Sequence, residues 1–348
     1  MSNRKKIIVG LTFDLKDDYR RMGYSEEDIA EFDTPETIEA IEENLRALGY
    51  KTLRIGHVFD LVKFLNNGRR CDIVFNIAEG MHGVARESQI PALLDAYRIP
   101  HVFSEASVMT LTLDKALTKM VVREAGIPTA PFMVIRRMEE LEVVNLPYPL
   151  FVKPVAEGTS KGIDGYSLID SREKLQTSCA FLLDTYHQPV LLETFLPGRE
   201  FTVGIVGSAL QARVLGVMEI VFNEACAEKI YSYSVKKEYE KYVSYQLATD
   251  KVAKRCAELA LAAWQRIDGK DAGRVDFRVD RNGQPNFVEV NPLAGLNPTY
   301  SDLPILARLS NYPYRELIDE IMQSALDRAG LMEVSNDGIR YQTGHYSA

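Results

Sequence analysis

The sequence predicts an α/β fold that passes into α+β units, and three observations carry that reading. In the first third, short apolar runs alternate with helical patterns, the order of a layered parallel sheet. Beyond residue 105 strands cluster with fewer helices between them. The length of 348 residues exceeds one hydrophobic core and fits two or three units packed as one body, and 46% apolar with 26% charged residues describes a folded, soluble chain.

The elements follow in order. Lys6 to Gly10 is the first strand, and Asp14 to Glu31 is polar without clean periodicity. Thr34 is placed to cap a helix opened by Pro35, with Ile38, Ile41, Leu45 and Leu48 on one face and Gly49 as its stop. Tyr50 to Ile55 and Asp72 to Ile77 are further strands, Ser88 to Tyr97 is helical, and Pro100 to Phe103 forms another edge. A helix from Asp114 to Ala125 ends at Gly126; strands follow at Phe132 to Ile135, Leu150 to Lys153, Tyr166 to Ile169 and Val190 to Glu193. Two longer strands, Glu200 to Val206 and Arg213 to Phe222, precede a Tyr- and Lys-rich polar stretch, Glu228 to Tyr245. An amphipathic helix then carries Cys256, Leu259, Ala260, Ala263 and Ile267. Val275 to Val279 and Asn286 to Val290 form a hairpin turned by Asp280 to Gly283, and Tyr314 to Ala329 is the last helix.

A net charge of -8 argues against nucleic acid as a partner, because phosphate backbones require a clustered basic surface. No apolar run reaches the roughly 18 residues of a membrane span, and the start runs directly into Ile7-Ile8-Val9, so no membrane association and a cytoplasmic location are expected. Cys71, Cys179, Cys226 and Cys256 form no CxxC pair and read as reduced structural residues.

Three stretches point to chemistry, and each taken alone has a plainer alternative: an ordinary polar hairpin loop, a solvated polar face on a hairpin, and a bland interdomain linker respectively. Lys153 ends a strand and is followed by a loop with Gly158, Thr159, Ser160 and Gly162, whose backbone N–H groups can close on phosphate oxygens while the ammonium faces them. The loop is neither a Walker motif nor a dinucleotide fingerprint, which excludes a dinucleotide-dependent oxidoreductase. Glu289 and Asn291 are two apart on one strand and share a face, and a neighbouring strand can bring Asp276 beside them. Two carboxylates and an amide oxygen suit Mg²⁺. Glu193 and Glu200 flank a short linker that offers backbone groups to an adenine edge and an acid to ribose.

In this order the motifs resemble the ATP-grasp superfamily, and within it the D-alanine–D-alanine ligase family, from about Cys71 to Ala325. Asp114-Lys115 with Lys119 is similar to the DK..TK helix start, and Gly126 to Thr129 to GIPTP. FVKPVAEGTSKGI resembles the VKP..EGSS.G loop, LLETFLPGREFTV the vEe.i.GrE linker, and RVDFRVD with FVEVNPLAGL the aRvDf and lEvNt.PG segments. The resemblance implies an ATP-grasp fold behind an N-terminal parallel-sheet unit. It divides the chain into a substrate-binding unit (1–105), a small lobe (106–190), a C-terminal lobe with metal and catalytic residues (191–330) and a tail (331–348).

It also implies roles. Lys115, Lys153 and the loop Gly158, Thr159 and Ser160 would bind ATP phosphates, Glu193 and Leu196 the adenine, and Glu200 the ribose. Asp276, Glu289 and Asn291 would hold Mg²⁺ or Mn²⁺. Arg274 would oppose charge on an acyl phosphate and its tetrahedral adduct, and Lys236 would approach the γ-phosphate. The implied activity joins two amino acids with release of ADP and phosphate, in a cytoplasmic homodimer serving peptidoglycan assembly. Another amino acid, a dipeptide or a hydroxy acid is the alternative substrate. The alternative of another class is a non-catalytic ATP-binding protein, against which the unbroken lysine and metal set speaks.

The amino acid end departs from the pattern. Asp14 stands where the family has GG.S.E..vS, at a different spacing, and an ordinary loop aspartate is its alternative. The HG..GEDG loop becomes Glu79 to Glu87, with Glu87 as the counterpart acid and Glu79 and His82 as candidates beside it. Ser301 would fill a carboxylate-binding serine's role one residue displaced. Lys237 replaces a tyrosine, an extra cation suited to a second acidic group on a substrate.

Overall fold

The computed structural model describes residues 6–223 and 239–331. Its first sheet has the order β2-β1-β3, with β1 (Ile8–Thr12) parallel to both β2 (Lys51–Gly56) and β3 (Ile73–Asn76). Parallel neighbours need crossovers. Here α1 (Lys16–Arg21) and α2 (Pro35–Ala47) link β1 to β2, and α3 (Val58–Asn66) links β2 to β3. Thr34 occupies the N-cap of α2 without a side-chain capping bond, and Gly49 leaves the helix at φ +98°. The edge expected at Pro100 to Phe103 shrinks to one bridge between Val74 and His101, because Phe103 turns into the left-handed region.

After α4 (Gln89–Ala96), α5 (Ala106–Leu113) and α6 (Lys115–Glu124), the second sheet forms with order β4-β7-β5-β6. It contains β4 (Phe132–Ile135), β5 (Leu150–Pro154), the two-residue β6 (Leu168–Ile169) and β7 (Val190–Thr194), packed against α7 (Arg172–Tyr186). The strand expected from Tyr166 is shortened because Asp164 caps a 3-10 turn over Gly165–Ser167. The third sheet is antiparallel, in the order β10-β9-β8-β11-β12. Its strands are β8 (Glu200–Val206), β9 (Arg213–Phe222), β10 (Val243–Leu247), β11 (Ala272–Val279) and β12 (Pro285–Asn291), with α8 (Tyr239–Tyr242) leading into β10.

Against this sheet α9 (Lys251–Arg266), capped by Asp250, buries Cys256, Ala260, Ala263 and Trp264. On the other side α10 (Asp302–Leu309) and α11 (Tyr314–Arg328) reach back to the first sheet. Leu317, Ile318, Ile321 and Met322 of α11 are fully buried in one core with Val9, Ile73 and Phe75, each side chain contributing about 2 kcal/mol. Helices α1, α3, α5, α7 and α10 were not expected from the pattern. In α5, for example, β-branched and apolar residues occur on every side, so burial of Val108, Met109 and Leu113 sustains the helix rather than amphipathicity.

Cys71, Cys179 and Cys256 are free, and burial pushes their thiols up to about 11, 12 and 12, which suits structural residues; Cys226 lies outside the described residues. Among the described residues no helix is long and apolar enough to cross a membrane.

Candidate active site

Two cavities open between the sheets. The larger, about 440 Å³, is bounded by the start of the chain, the loop after β5 and the segment after β12. The smaller, about 110 Å³, lies between the second and third sheets. Thr159, Arg274 and Glu289 line both, so the cavities meet at these three residues.

The smaller cavity is an aromatic slot with charged ends. Phe151 and Phe195 stack at 6.2 Å between centroids, Leu196 completes the wall, and Arg278 lies 5.1 Å from the Phe195 ring. At the linker the buried Thr194 hydroxyl has no hydrogen-bond partner among the described residues. Glu193, from the end of β7, clamps two ammonium groups: Lys153 Nζ at 3.0 Å and Lys119 Nζ at 2.9 Å. Burial alone would raise its carboxyl, but the two lysines overcome it and hold Glu193 down at about 2. Burial likewise opposes the Lys153 ammonium, yet Glu193 and Glu289 keep it above its ordinary value. Glu200 faces Arg278 at 3.2 Å, and burial raises its carboxyl.

The oxygen set comes from the hairpin. Asp276 pairs across strands with Glu289, and Arg274 with Asn291. A bulge at Val288 shifts the register, so Glu289 and Asn291 are re-aimed toward Asp276. The Asn291 amide nitrogen lies 3.4 Å from Asp276 Oδ2 and 3.5 Å from Glu289 Oε1, and Thr202 donates to Asp276 at 2.9 Å. Arg274 reaches Asp302 at 2.7 Å and Asp276 at 3.2 Å. Burial, with Glu289 and Asp302 close by, outweighs Arg274 and raises the Asp276 carboxyl to about 7.

The loop after β5 leans on the start of the chain. Thr159 (φ +47°) and Ser160 (φ +57°) adopt left-handed backbone, a cost of roughly 1 kcal/mol each that is typical of functional loops. Gly158 has no room for a side chain, since a β-carbon there would collide with Glu31 Oε1. Gly158 and Thr159 line the larger cavity, Thr159 and Ser160 the smaller. Lys115 enters the larger cavity, donating to the Glu157 carbonyl and standing 3.5 Å from Glu289.

The N-terminal wall of the larger cavity is acidic. Glu79 and Glu87 both line it, and neither side chain has a hydrogen bond or ion pair among the described residues. Burial first, then neighbouring carboxylates, pushes Glu79 well above the usual range; burial and Glu31 bring Glu87 to about 7. Burial takes Asp33 to about 7 as well. Behind them Arg86 pairs with Glu31 at 3.0 Å and donates to the Ala156 carbonyl at 2.9 Å.

Asp14 does not reach this cavity. Its carboxylate is occupied by Tyr19 Oη (2.6 Å) and the Gly80 N–H (2.8 Å), which makes it a latch between loops. His82 is exposed, paired with Tyr24 Oη at 2.9 Å and absent from the cavity wall. Ser301 occupies the N-cap of α10 without a side-chain capping bond, beside Asp302 on the opposite wall, its Oγ accepting from Asn297 N at 3.1 Å. Lys236 and Lys237 lie outside the described residues. Glu31, Asp33 and Asp302 are site residues that the motif reading missed. No local pattern marks the first two, because the polar stretch before α2 has no periodicity.

Residues 121–323 match the family profile described as D-ala D-ala ligase C-terminus. The D-alanine–D-alanine ligase of Gluconobacter oxydans (strain 621H) is 32% identical over 260 residues, 74% of this chain and 82% of that protein. The crystal structure of D-alanine–D-alanine ligase from Bacillus anthracis complexed with ATP superposes with a TM-score of 0.69 at 19% identity, over 93% of this chain and 99% of that one. VanG D-Ala:D-Ser ligase from Enterococcus faecalis gives 0.71 at 20% identity, over 92% and 100%. With its motifs gathered around two joined cavities and its sequence matched over most of its length, the chain belongs to the D-alanine–D-alanine ligase family, ATP-dependent ligases built on the ATP-grasp fold.

Proposed function

We propose that the protein uses ATP to activate the carboxylate of one amino acid as an acyl phosphate and joins it to the amine of a second, releasing ADP and phosphate. The meeting of the two cavities at Thr159, Arg274 and Glu289 supports this reading, because a nucleotide in the smaller would stand end to end with an amino acid in the larger.

The aromatic slot fits adenine, with the orphaned Thr194 hydroxyl beside the linker backbone as a polar contact and Glu200 near the ribose. Lys153 and Lys115, with the loop at Gly158 to Ser160, would receive phosphates. Asp276, Glu289 and Asn291 would hold Mg²⁺ or Mn²⁺. The crowding that raises Asp276 to about 7 is the imbalance a divalent cation relieves. Such a cation supplies charge neutralisation on the transferred phosphoryl group. Arg274, poised at the junction, would oppose negative charge first on the acyl phosphate and then on the adduct formed by the attacking amine. Glu79 and Glu87 would take the substrate ammonium, and Ser301 the carboxylate at the far wall. Family membership supports a cytoplasmic homodimer serving peptidoglycan assembly.

The test is phosphate release with ATP and Mg²⁺ against a panel of D- and L-amino acids, dipeptides and hydroxy acids. Turnover with D-alanine supports the D-alanine assignment and turnover with another pair replaces it. No turnover with any pair, or full turnover in Lys153→Ala, overturns the reading.

A further inference from the structure

We propose that Lys119 is a positioning residue, a standing counter-ion for Glu193 that lets Lys153 leave that carboxylate for the nucleotide phosphates. The inference rests on the reading that Lys153 meets phosphate.

The geometry separates the two lysines. Both ammonium groups contact Glu193, Lys153 on Oε1 at 3.0 Å and Lys119 on Oε2 at 2.9 Å. Lys153 lines the smaller cavity, whereas Lys119 lines neither cavity and its side chain is 1% exposed. Lys119 is also tied from a second direction, donating to the Phe287 carbonyl at 3.0 Å. Phe287 flanks the β12 bulge, and its own N–H is fixed by the Pro128 carbonyl at 2.8 Å. Lys119 is therefore anchored between the second and third sheets and cannot follow a ligand, while Lys153 can.

The electrostatics give this division a purpose. Glu193 is buried, and a buried carboxylate stripped of its counter-charge is costly. Were Lys153 its sole cation, moving that ammonium to a phosphate would expose this penalty, and Glu193 would compete with the nucleotide. With Lys119 in place the carboxylate stays neutralised when Lys153 departs. The surplus ammonium also points its field at Glu289, two residues beyond Phe287, so the same lysine serves the strand that carries the oxygen set.

The experiment compares ATP affinity and turnover in single and double variants of the full chain. Lys119→Met is expected to raise KM for ATP about tenfold or more while kcat changes by less than about threefold, the pattern of impaired binding. Adding Glu193→Gln removes the competitor and is expected to bring KM back by at least about threefold, a non-additive cycle that loss of packing alone would not produce. Lys119→Arg, which keeps the charge, stays near the parent KM. Lys119→Gln, which keeps a polar group for Phe287 without the charge, carries the test if Lys119→Met does not fold. Lys153→Met separates the premises. If it leaves ATP binding by calorimetry unchanged, the phosphate role of Lys153 fails. If it weakens binding but Lys119→Met and Lys119→Gln do not, or if Glu193→Gln gives no rescue, the counter-ion role is overturned.

Discussion

The two cavities handle charge in opposite ways. In the smaller one each acid meets a cation within the protein: Glu193 with Lys119 and Lys153, Glu200 with Arg278. In the larger one Glu79 and Glu87 stand without hydrogen bonds or ion pairs among the described residues; burial raises both carboxyls, Glu79 well above the usual carboxylate range and Glu87 to about 7. A protonated carboxyl costs less to bury than a carboxylate, and a cation brought beside Glu79 and Glu87 would favour their charged forms. The Glu193 pair is thus neutralised within the protein, whereas Glu79 and Glu87 are not.

Substitutions can break this contrast, and the largest effect is expected at the junction. Glu289→Ala removes a carboxylate that lines both cavities and, under the proposed function, should lower turnover about 10³-fold or more, with circular dichroism unchanged. Next, Glu79→Gln with Glu87→Gln should raise KM for the amino acid about tenfold and leave KM for ATP within about twofold, measured by initial rates. The reverse pattern would show that the acids serve the nucleotide.

A third, smaller effect is in pH. Asp276, Glu87 and Asp33 keep protons up to about 7 in the folded chain, well above their ordinary carboxylate values, so the folded state binds more protons between those limits. Stability of the ligand-free protein should fall as pH rises from 5 to about 7, and Asp276→Asn should flatten that slope in thermal melts. Glu193 acts in the opposite sense, its stabilisation lost only as pH falls from its ordinary value toward about 2. The smallest change is expected from Tyr19→Phe, which deletes one hydrogen bond to the Asp14 latch: about 1 kcal/mol of stability, with both KM values unmoved.

The contrast also separates what was legible in the sequence from what was not. Lys153, Asp276, Glu289 and Asn291 were readable because strand periodicity and a strand-ending lysine act over a few residues, and the hairpin register brings the oxygen set together. The clamp of Lys119 on Glu193 closes over more than seventy residues, beyond the reach of a local pattern. Glu31 and Asp33 lie in a stretch with no periodicity, and Asp302 opens a helix whose start the pattern did not mark. Asp14 shows the converse: the nearest acid in sequence is held by Tyr19 and Gly80, and more distant ones face the cavity.

The contact between Gly158 and Glu31 has an energetic meaning beyond sterics. Through it, and through Arg86 bridging Glu31 to the Ala156 carbonyl and Glu157, the loop after β5 rests on the segment that walls the larger cavity. Under the proposed function, a ligand that shifts one side would bias the other. Reciprocity then requires that the factor by which an amino acid tightens ATP equals the factor by which ATP tightens the amino acid. Under the proposed function, occupancy of either chamber would then be a readout of the other.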